Sequence, residues 1–264
     1  MLYVCIPSYN EAPTIGLLLW KIRQTFTAFP REYQLLVADD ASTDATPEVL
    51  EPYARVLPLT VVRHAARRGY AASVESLLRL SLERTDRPKR DAAIVMPADF
   101  SHGPAFLPDL VRRLDSGADI VVAESLLKGE PSRARRMVRR AGPWLLRSAV
   151  RAPGVSDVLS GFLAFRLVTL HHAMREHEDR LLVLDGWAAN AELIGKTARA
   201  ARRIDTVPVV ERHDLRQRPS RVEPLETALE LWRARGRLRI PPPSARPPAS
   251  PADAPAEREA GVAS

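Results

Sequence analysis

Short, largely apolar runs alternate with longer amphipathic segments through the first half of the chain, and this rhythm restricts the fold more than any other feature. Residues 2–6, 35–38, 59–62, 92–96 and 120–123 read as buried strands. Between them lie segments with helical spacing. The first runs from about Pro13 to Phe29, with Ile15, Leu18, Leu19 and Ile22 on one face. The next reaches Tyr53 with Ser42 and Thr43 as its expected caps, and Tyr70 to Glu83 and Pro104 to Ser116 complete the set. Short apolar strands followed by helices predict a parallel α/β sheet covered by helices on both faces. Ligands bind such sheets beyond the carboxyl ends of the strands. The loop from Pro7 through Tyr9 and Asn10 to Glu11, the pair Asp39–Asp40, and Asp99 all fall there, so three polar clusters are expected on one edge.

The second half is less regular. Ser132 to Val150 carries Arg133, Arg135, Arg136, Arg139, Arg140 and Arg147 without an acid, and Trp144, Leu145 and Leu146 supply an apolar element. Val158 to Phe165 reads as a strand, Trp187 to Ala198 as a helix, Arg203 to Val210 as a final strand, and Val222 to about Gly236 as a helix. In that last helix Leu225, Ala228, Leu229 and Trp232 are expected to pack on the domain. From Pro241 the chain is rich in proline, alanine and serine and lacks periodicity, the composition of a disordered tail. The expected organisation is one domain over residues 1–238 and a tail over 239–264. Within the domain, 1–123 forms a nucleotide-binding half and 124–238 an acceptor-side half.

A chain of 264 residues that is 45% hydrophobic can bury a substantial core. Its 39 basic and 32 acidic residues give a formal charge of +7, which favours anionic partners: nucleotide phosphates, lipid phosphates, an acidic membrane surface or nucleic acid. No recognised module or aromatic interleaving accompanies the charge, which argues against nucleic acid. Cys5 is alone, so no intramolecular disulfide or cysteine-based zinc site forms, and its place between Val4 and Ile6 marks a buried small residue. No basic n-region precedes the first apolar run, and no stretch reaches the ~18 uninterrupted apolar residues of a membrane span. A cytoplasmic protein, peripheral at the inner face of the membrane, is expected. His102, His171, His172, His177 and His213 lack metal-ligand spacing and are expected at the surface.

The carboxylates Asp39 and Asp40 suit a nucleotide, accepting hydrogen bonds from base N–H groups and ribose hydroxyls; the alternative is that one of them caps the following helix. Asp44 reads as structural. Asp99 suits a hard cation set against a diphosphate, since Mg²⁺ and Mn²⁺ prefer carboxylate oxygen and keep waters; the alternative is a turn or N-cap ahead of Pro104. The basic stretch suits a phosphate head group or an acidic leaflet, or else a solvated helix face.

Ile6 to Glu11, Val37 to Thr46, and Asp157–Val158–Leu159–Ser160–Gly161–Phe162 together resemble the family 2 inverting glycosyltransferases, most closely the polyprenol-phosphate sugar synthases of the dolichyl-phosphate mannose synthase group. The resemblance covers roughly residues 2–222. It implies a GT-A (Rossmann-like) fold with a mostly parallel sheet, and sugar transfer from a GDP- or UDP-sugar to a polyprenyl phosphate. It also implies site residues. Pro7, Tyr9 and Glu11 match the opening loop against the nucleotide, Asp40 matches the carboxylate that reads its base, with Asp39 beside it as a further candidate, and Asp99, preceded by Ala98, matches the final acid of the family's Asp-x-Asp motif, the residue that meets the metal and the diphosphate. Asp157 matches the acid before Ser-Gly-Phe near the acceptor, with Ser160 in the same motif, and Glu192 resembles the family's helix glutamate; from their charge alone, Arg133 and Arg136 of the basic stretch are the further acceptor-side candidates. Arg216, Ser220 and Arg221 match an Arg-x-Gly-x-Ser-Lys segment that closes over the donor phosphates. A Mg²⁺ or Mn²⁺ cofactor follows from the same likeness.

The departures are specific. Pro97 stands for the first acid of Asp-x-Asp, Leu126 for an arginine after the fifth strand, and Arg67 and Ala71 for the Asn and Gly of an Asn-x-Gly-x-Gly turn. Arg218 replaces the glycine, and Arg221 the lysine, of the closing segment. These leave two alternatives to lipid glycosylation: transfer to a glycan or metabolite hydroxyl, for which Asp157 is the general-base candidate, and a non-catalytic sugar-nucleotide-binding homologue. A nucleotidyltransferase fits less well, because no glycine-rich phosphate loop with a following lysine comes after the first strand.

Overall fold

The computed structural model describes residues 1–128, 141–146, 149–177, 180–212 and 224–238. The expected tail, and Arg133, Arg136, Arg216, Ser220 and Arg221, lie outside them. In chain order the elements are β1 (Leu2–Ser8), α1 (Ala12–Ala28), β2 (Tyr33–Asp39), α2 (Thr46–Val56), β3 (Leu59–Arg63), α3 (Tyr70–Arg84) and β4 (Ala92–Val95). A 3₁₀ turn, Pro104–Phe106, leads into α4 (Leu107–Asp115), followed by β5 (Ile120–Lys128), β6 (Leu163–Arg166), α5 (Leu167–Glu176), α6 (Gly186–Ala198), β7 (Ile204–Arg212) and α7 (Pro224–Arg237). Residues 141–146 add a short helical segment.

Among the described residues the strands form one sheet in the order β3-β2-β1-β4-β6-β5-β7. The pairs β1–β2, β1–β4, β2–β3 and β5–β7 are parallel, and β6 runs antiparallel to both β4 and β5. Both faces are buried, which is why the strands read as continuous apolar runs. Successive side chains alternate between two cores. Tyr3, Cys5, Leu36, Ala38, Ala93, Val95, Leu163 and Phe165 face one, with Val74, Leu77 and Leu78 of α3. Val4, Ile6, Leu35, Val37, Ile94, Phe162 and Ala164 face the other, with Ile15, Leu18, Leu19 and Ile22 of α1 and Leu110 and Leu114 of α4. Burial raises the Cys5 thiol pKa well above its ordinary value, as expected for a packed core cysteine.

Several expectations change. The predicted strand Val158 to Phe165 shrinks to Leu163–Arg166, because Ser160 closes its hydroxyl on its own turn, accepting the Phe162 N–H at 3.2 Å and donating to the Phe162 carbonyl at 3.3 Å. Ser42 and Thr43 do not cap α2: Ser42 Oγ accepts the Asn10 N–H at 2.9 Å, and the Thr43 N–H donates to Asn10 Oδ1 at 2.7 Å. The helix starts at Thr46, whose N–H is taken by Asp44 Oδ1 at 3.0 Å, so Asp44 is structural. In α7 it is Leu231, Ala234 and Leu238 that pack inward, while Leu229 and Trp232 face outward.

Two buried carboxylates hold the chain between α5 and α6. Glu75 of α3 accepts the N–H groups of Leu181 and Leu182, both at 3.0 Å, and pairs with Arg79 at 2.6 Å. Glu192 of α6 accepts the N–H groups of Val183 and Leu184 at 2.8 and 2.9 Å and pairs with Lys196 at 2.7 Å. Burial raises the Glu75 pKa, but the two backbone N–H groups and Arg79 outweigh it, and the net shift is downward.

A glutamine at position 75 keeps only one good acceptor, so Glu75→Gln strands a buried N–H and should cost about 1–3 kcal/mol in denaturant unfolding at neutral pH. Because the native pKa of Glu75 is depressed, its stabilisation is complete above its ordinary value of 4.5 and is lost as pH falls through the lowered native value. The gap between wild type and Glu75→Gln should therefore close under acid conditions. A gap that persists unchanged would contradict the clamp.

Candidate active site

The carboxyl ends of β3, β2, β1 and β4 lie side by side, since Ser8 pairs with Asp39 and Cys5 with Val95. Each of the tips after β1, β2 and β4 contains a non-glycine residue with positive φ: Asn10 (50°), Ala41 (57°) and Phe100 (61°). Such left-handed conformations concentrate at binding sites and need surrounding contacts to hold them.

At the β1 tip Pro7 is buried within the strand, and Tyr9 lies beneath the Arg67 guanidinium, 4.3 Å from its ring centre. Glu11 anchors α1, its carbonyl accepting the N–H groups of Thr14 and Ile15 and its carboxylate the Thr14 hydroxyl at 3.0 Å. Its own N–H donates to Thr46 Oγ1 at 2.8 Å, tying the β1 and β2 tips together.

The two carboxylates at the β2 tip have different surroundings. Asp39 Oδ1 accepts the N–H of Ser42, three residues on, at 3.1 Å and so closes the turn that contains Ala41. Its Oδ2 is buried, accepts no hydrogen bond from the described residues and stands 3.4 Å from Arg63 Nε. Asp40 is turned towards the next loop: Oδ1 meets His64 Nδ1 at 2.7 Å and accepts the Arg68 N–H at 2.8 Å, and Oδ2 accepts the Gly69 N–H at 2.9 Å. Burial raises the Asp40 pKa, yet His64 and the two backbone donors outweigh it, so the carboxyl is held below its ordinary value. Asp40 thus spends most of its acceptor capacity on the 64–69 loop. Beside it an open pocket of about 300 Å³ is lined by Ala41, Ser42, Arg63, His64 and Ala65.

At the β4 tip Ala98 and Asp99 are buried, and Asp99 Oδ1 accepts the Ser101 N–H at 3.0 Å. Asp157 precedes β6, yet it reaches this same edge because β6 is inverted: Leu163 pairs with both Val95 and Val122. Its Oδ1 accepts the Leu159 N–H at 3.2 Å and its Oδ2 the Ser125 N–H at 3.4 Å. Leu126, on β5, is exposed.

Two acceptor-side candidates have their polar atoms engaged within the fold. Glu192 is directed into the 183–184 backbone and Lys196, and Ser160 is fully buried with its hydroxyl turned on Phe162, so neither presents a polar group to the cleft. His102, expected at the surface, is buried, with its ring nitrogens near the hydroxyls of Ser101 and Ser125. His64 was not singled out by the sequence at all. It directly follows β3 as Asp40 follows β2, so the strand-end rule would have flagged it.

The family described as Glycosyl transferase family 2 matches residues 3–172. The chain belongs to that family. Among relatives, a dolichol-phosphate mannosyltransferase of Pyrococcus furiosus is 26% identical over 168 residues, 62% of this chain and 45% of that protein. A polyprenol monophosphomannose synthase of Mycolicibacterium smegmatis is 27% identical over 166 residues, 62% of this chain and 60% of that protein. The chain thus spans about half the length of these relatives. Glucosyl-3-phosphoglycerate synthase of Mycobacterium tuberculosis, solved with Mn²⁺, UDP-glucose and glycerol 3-phosphate, superposes with a TM-score of 0.55 at 22% identity, over 88% of this chain and 76% of that one. The fold of this family 2 chain is accordingly GT-A, with its mostly parallel sheet.

Asp40→Asn leaves one oxygen to serve three neighbours and places an amide NH₂ against a backbone donor. It should destabilise the protein by about 1–3 kcal/mol and speed tryptic cleavage after Arg67 and Arg68. Unchanged cleavage at both sites would show that Asp40 does not hold this loop.

Proposed function

We propose that this chain transfers a sugar from a nucleoside diphosphate sugar to a polyprenyl phosphate, with inversion at the anomeric carbon. The observation that carries the reading is that Asp99 and Asp157, 58 positions apart in sequence, fall on one edge of the sheet, the edge that also holds the β2–β3 pocket. The relatives named for dolichol-phosphate and polyprenol mannosyl transfer support the acceptor class. In this reading the base and ribose occupy the pocket beside Asp39 and His64, under Tyr9 and Arg67, and the diphosphate extends towards Asp99.

Among the described residues no three His, Cys, Asp or Glu side chains group closely enough to hold a metal by themselves. One buried carboxylate suits a Mg²⁺ or Mn²⁺ ion whose other oxygens come from the diphosphate and water, and a structural neighbour was solved with Mn²⁺. Asp99 would hold that ion, which would offset charge on the departing diphosphate. Arg216 and Arg221, outside the described residues, are assigned to the same phosphates.

The transfer is a single displacement. A lipid-phosphate oxygen attacks the anomeric carbon as its bond to the diphosphate breaks, and the nucleoside diphosphate leaves. The attacking oxygen is already anionic, so no side chain has to remove a proton. Among the described residues no helix is long and apolar enough to cross a membrane, and a peripheral contact is assigned to the basic stretch that includes Arg133 and Arg136.

A metabolite or glycan hydroxyl is the second reading, favoured by the position of Asp157, which would then act as general base. Label from a radioactive sugar donor partitions into solvent-extracted lipid under the first reading and stays aqueous under the second. Asp99→Asn should lower transfer at least a hundredfold; near wild-type turnover would refute its role. A matching donor present at 100 times its dissociation constant should raise stability by about 2.7 kcal/mol, read as a thermal shift across GDP- and UDP-sugars with and without Mn²⁺.

A further inference from the structure

His102 is fully enclosed, and both ring nitrogens are engaged: Nδ1 lies 3.1 Å from Ser101 Oγ and Nε2 lies 3.1 Å from Ser125 Oγ. Each serine in turn donates its backbone N–H to one of the two acids. Ser101 donates to Asp99 Oδ1 at 3.0 Å, and Ser125 donates to Asp157 Oδ2 at 3.4 Å, the longest link in the chain. The imidazole belongs to the loop after β4, and Ser125 belongs to β5. In the sheet β6 lies between those strands, so the side chain spans the entrance to β6. Phe162, the last residue before β6, lies under the ring with the two ring centres 5.6 Å apart. A neutral imidazole has one N–H and one acceptor nitrogen, and serine hydroxyls serve either, so the chain is satisfied in both tautomers.

We propose that His102 is a positioning residue that fixes Asp157 and its loop relative to Asp99, so that the donor and acceptor sides of the cleft are held at one spacing. A side chain with a single polar end could bind Ser101 or Ser125, but not both. The Phe100 conformation at φ 61° turns the loop so that Asp99 and His102 are anchored on either side of it. A buried ring with satisfied nitrogens and an aromatic neighbour has little rotational freedom, which is what holding two groups to within a fraction of an ångström requires.

This functional role rests on the reading of Asp99 and Asp157 given above; the physical link does not. Three variants separate the two. His102→Asn keeps a polar group near the Nδ1 position and loses the reach to Ser125. His102→Gln places its amide near the Nε2 position and keeps that reach. Ser125→Ala preserves the N–H to Asp157 and removes only the hydroxyl that meets the imidazole. In ligand-free protein, amide hydrogen exchange at residues 157–160 should accelerate at least tenfold in His102→Asn and Ser125→Ala and stay near wild type in His102→Gln, with the β1 amides unchanged in all three. In transfer assays the first two should lose at least tenfold in kcat with less than a twofold change in donor KM, and His102→Gln should recover most of the rate. Unaltered exchange at 157–160 in both His102→Asn and Ser125→Ala would overturn the link. A rise in donor KM with kcat preserved would overturn the positioning role. Absence of transfer to any lipid phosphate by wild type would instead count against the proposed acceptor, and the exchange comparison would still decide the link.

Discussion

The inversion of β6 is the constraint on which the site depends. In a wholly parallel sheet a residue preceding a strand lies on the edge opposite the ligand, and Asp157 would be a strand length away from Asp99. Because β6 is antiparallel to both β4 and β5, its amino end meets their carboxyl ends. The connection from β5 to β6 therefore starts and finishes on the edge that carries Asp99 and Asp157, and the arginine-rich stretch from Ser132 to Val150 falls within it in sequence. Packing holds the inverted strand in place. Leu163 and Phe165 enter one core and Phe162 and Ala164 the other, and all four are fully buried. A one-residue slip would exchange the two faces and set Phe162 among neighbours shaped for Leu163.

Conformational strain and cross-loop hydrogen bonds balance at the same edge. Asn10, Ala41 and Phe100 each adopt a left-handed backbone that costs about 1–2 kcal/mol for a non-glycine residue. The contacts at Asn10 and Ala41 come largely from each other's loop, and the Phe100 turn is closed within its own by the Ser101 N–H on Asp99. Asn10 receives hydrogen bonds from Thr43 and donates its N–H to Ser42, the two residues that directly follow Ala41. Asp39 closes that turn through the Ser42 N–H. The loops are thus shaped before any ligand arrives, and the ordering entropy a ligand must overcome is correspondingly smaller.

What the sequence disclosed and what it concealed have separate physical causes. A strand buried on both faces must be apolar throughout, so β1, β2, β4 and β5 are visible as runs, and the rule placing ligands at their carboxyl ends located Asp39, Asp40 and Asp99. An apolar run carries no direction, however, and nothing in Leu163 to Arg166 announces an antiparallel strand. Partner choice is equally hidden. Glu192 and Glu75 look like helix carboxylates available for chemistry, and only the fold shows that each is committed to two backbone N–H groups of the 181–184 segment. The spacing of the histidines excludes metal ligation and says nothing else, so His102 looks like a surface residue. Its partners are serines, one adjacent and one 23 positions away, a pattern that spacing does not reveal.

The cleft has a second brace, independent of His102, and it bears on the substitutions that separate this chain from the family pattern. Asp40 fixes the N–H groups of Arg68 and Gly69. Gly69, at φ 93°, is packed so closely against Asp185 that a Cβ would come within 2.5 Å of its carboxylate, and Asp185 accepts the Ala71 N–H at 2.8 Å. Tyr70 then donates its hydroxyl to Asn190 Oδ1 at 2.8 Å, and Asn190 reaches the Leu159 carbonyl at 3.2 Å, two residues past Asp157. A Cβ on Gly161 would lie 3.4 Å from that tyrosine hydroxyl and 3.6 Å from Pro97 Cγ. Pro97, standing where relatives carry an acid, therefore faces the Gly161 turn, and its ring adds no charge beside Asp99. One route reaches the Asp157 carboxylate through His102 and Ser125, and the other reaches the Leu159 carbonyl through Tyr70 and Asn190, so each holds a different point of the same loop. An edge held at both points keeps its shape with a proline, rather than an acid, at position 97.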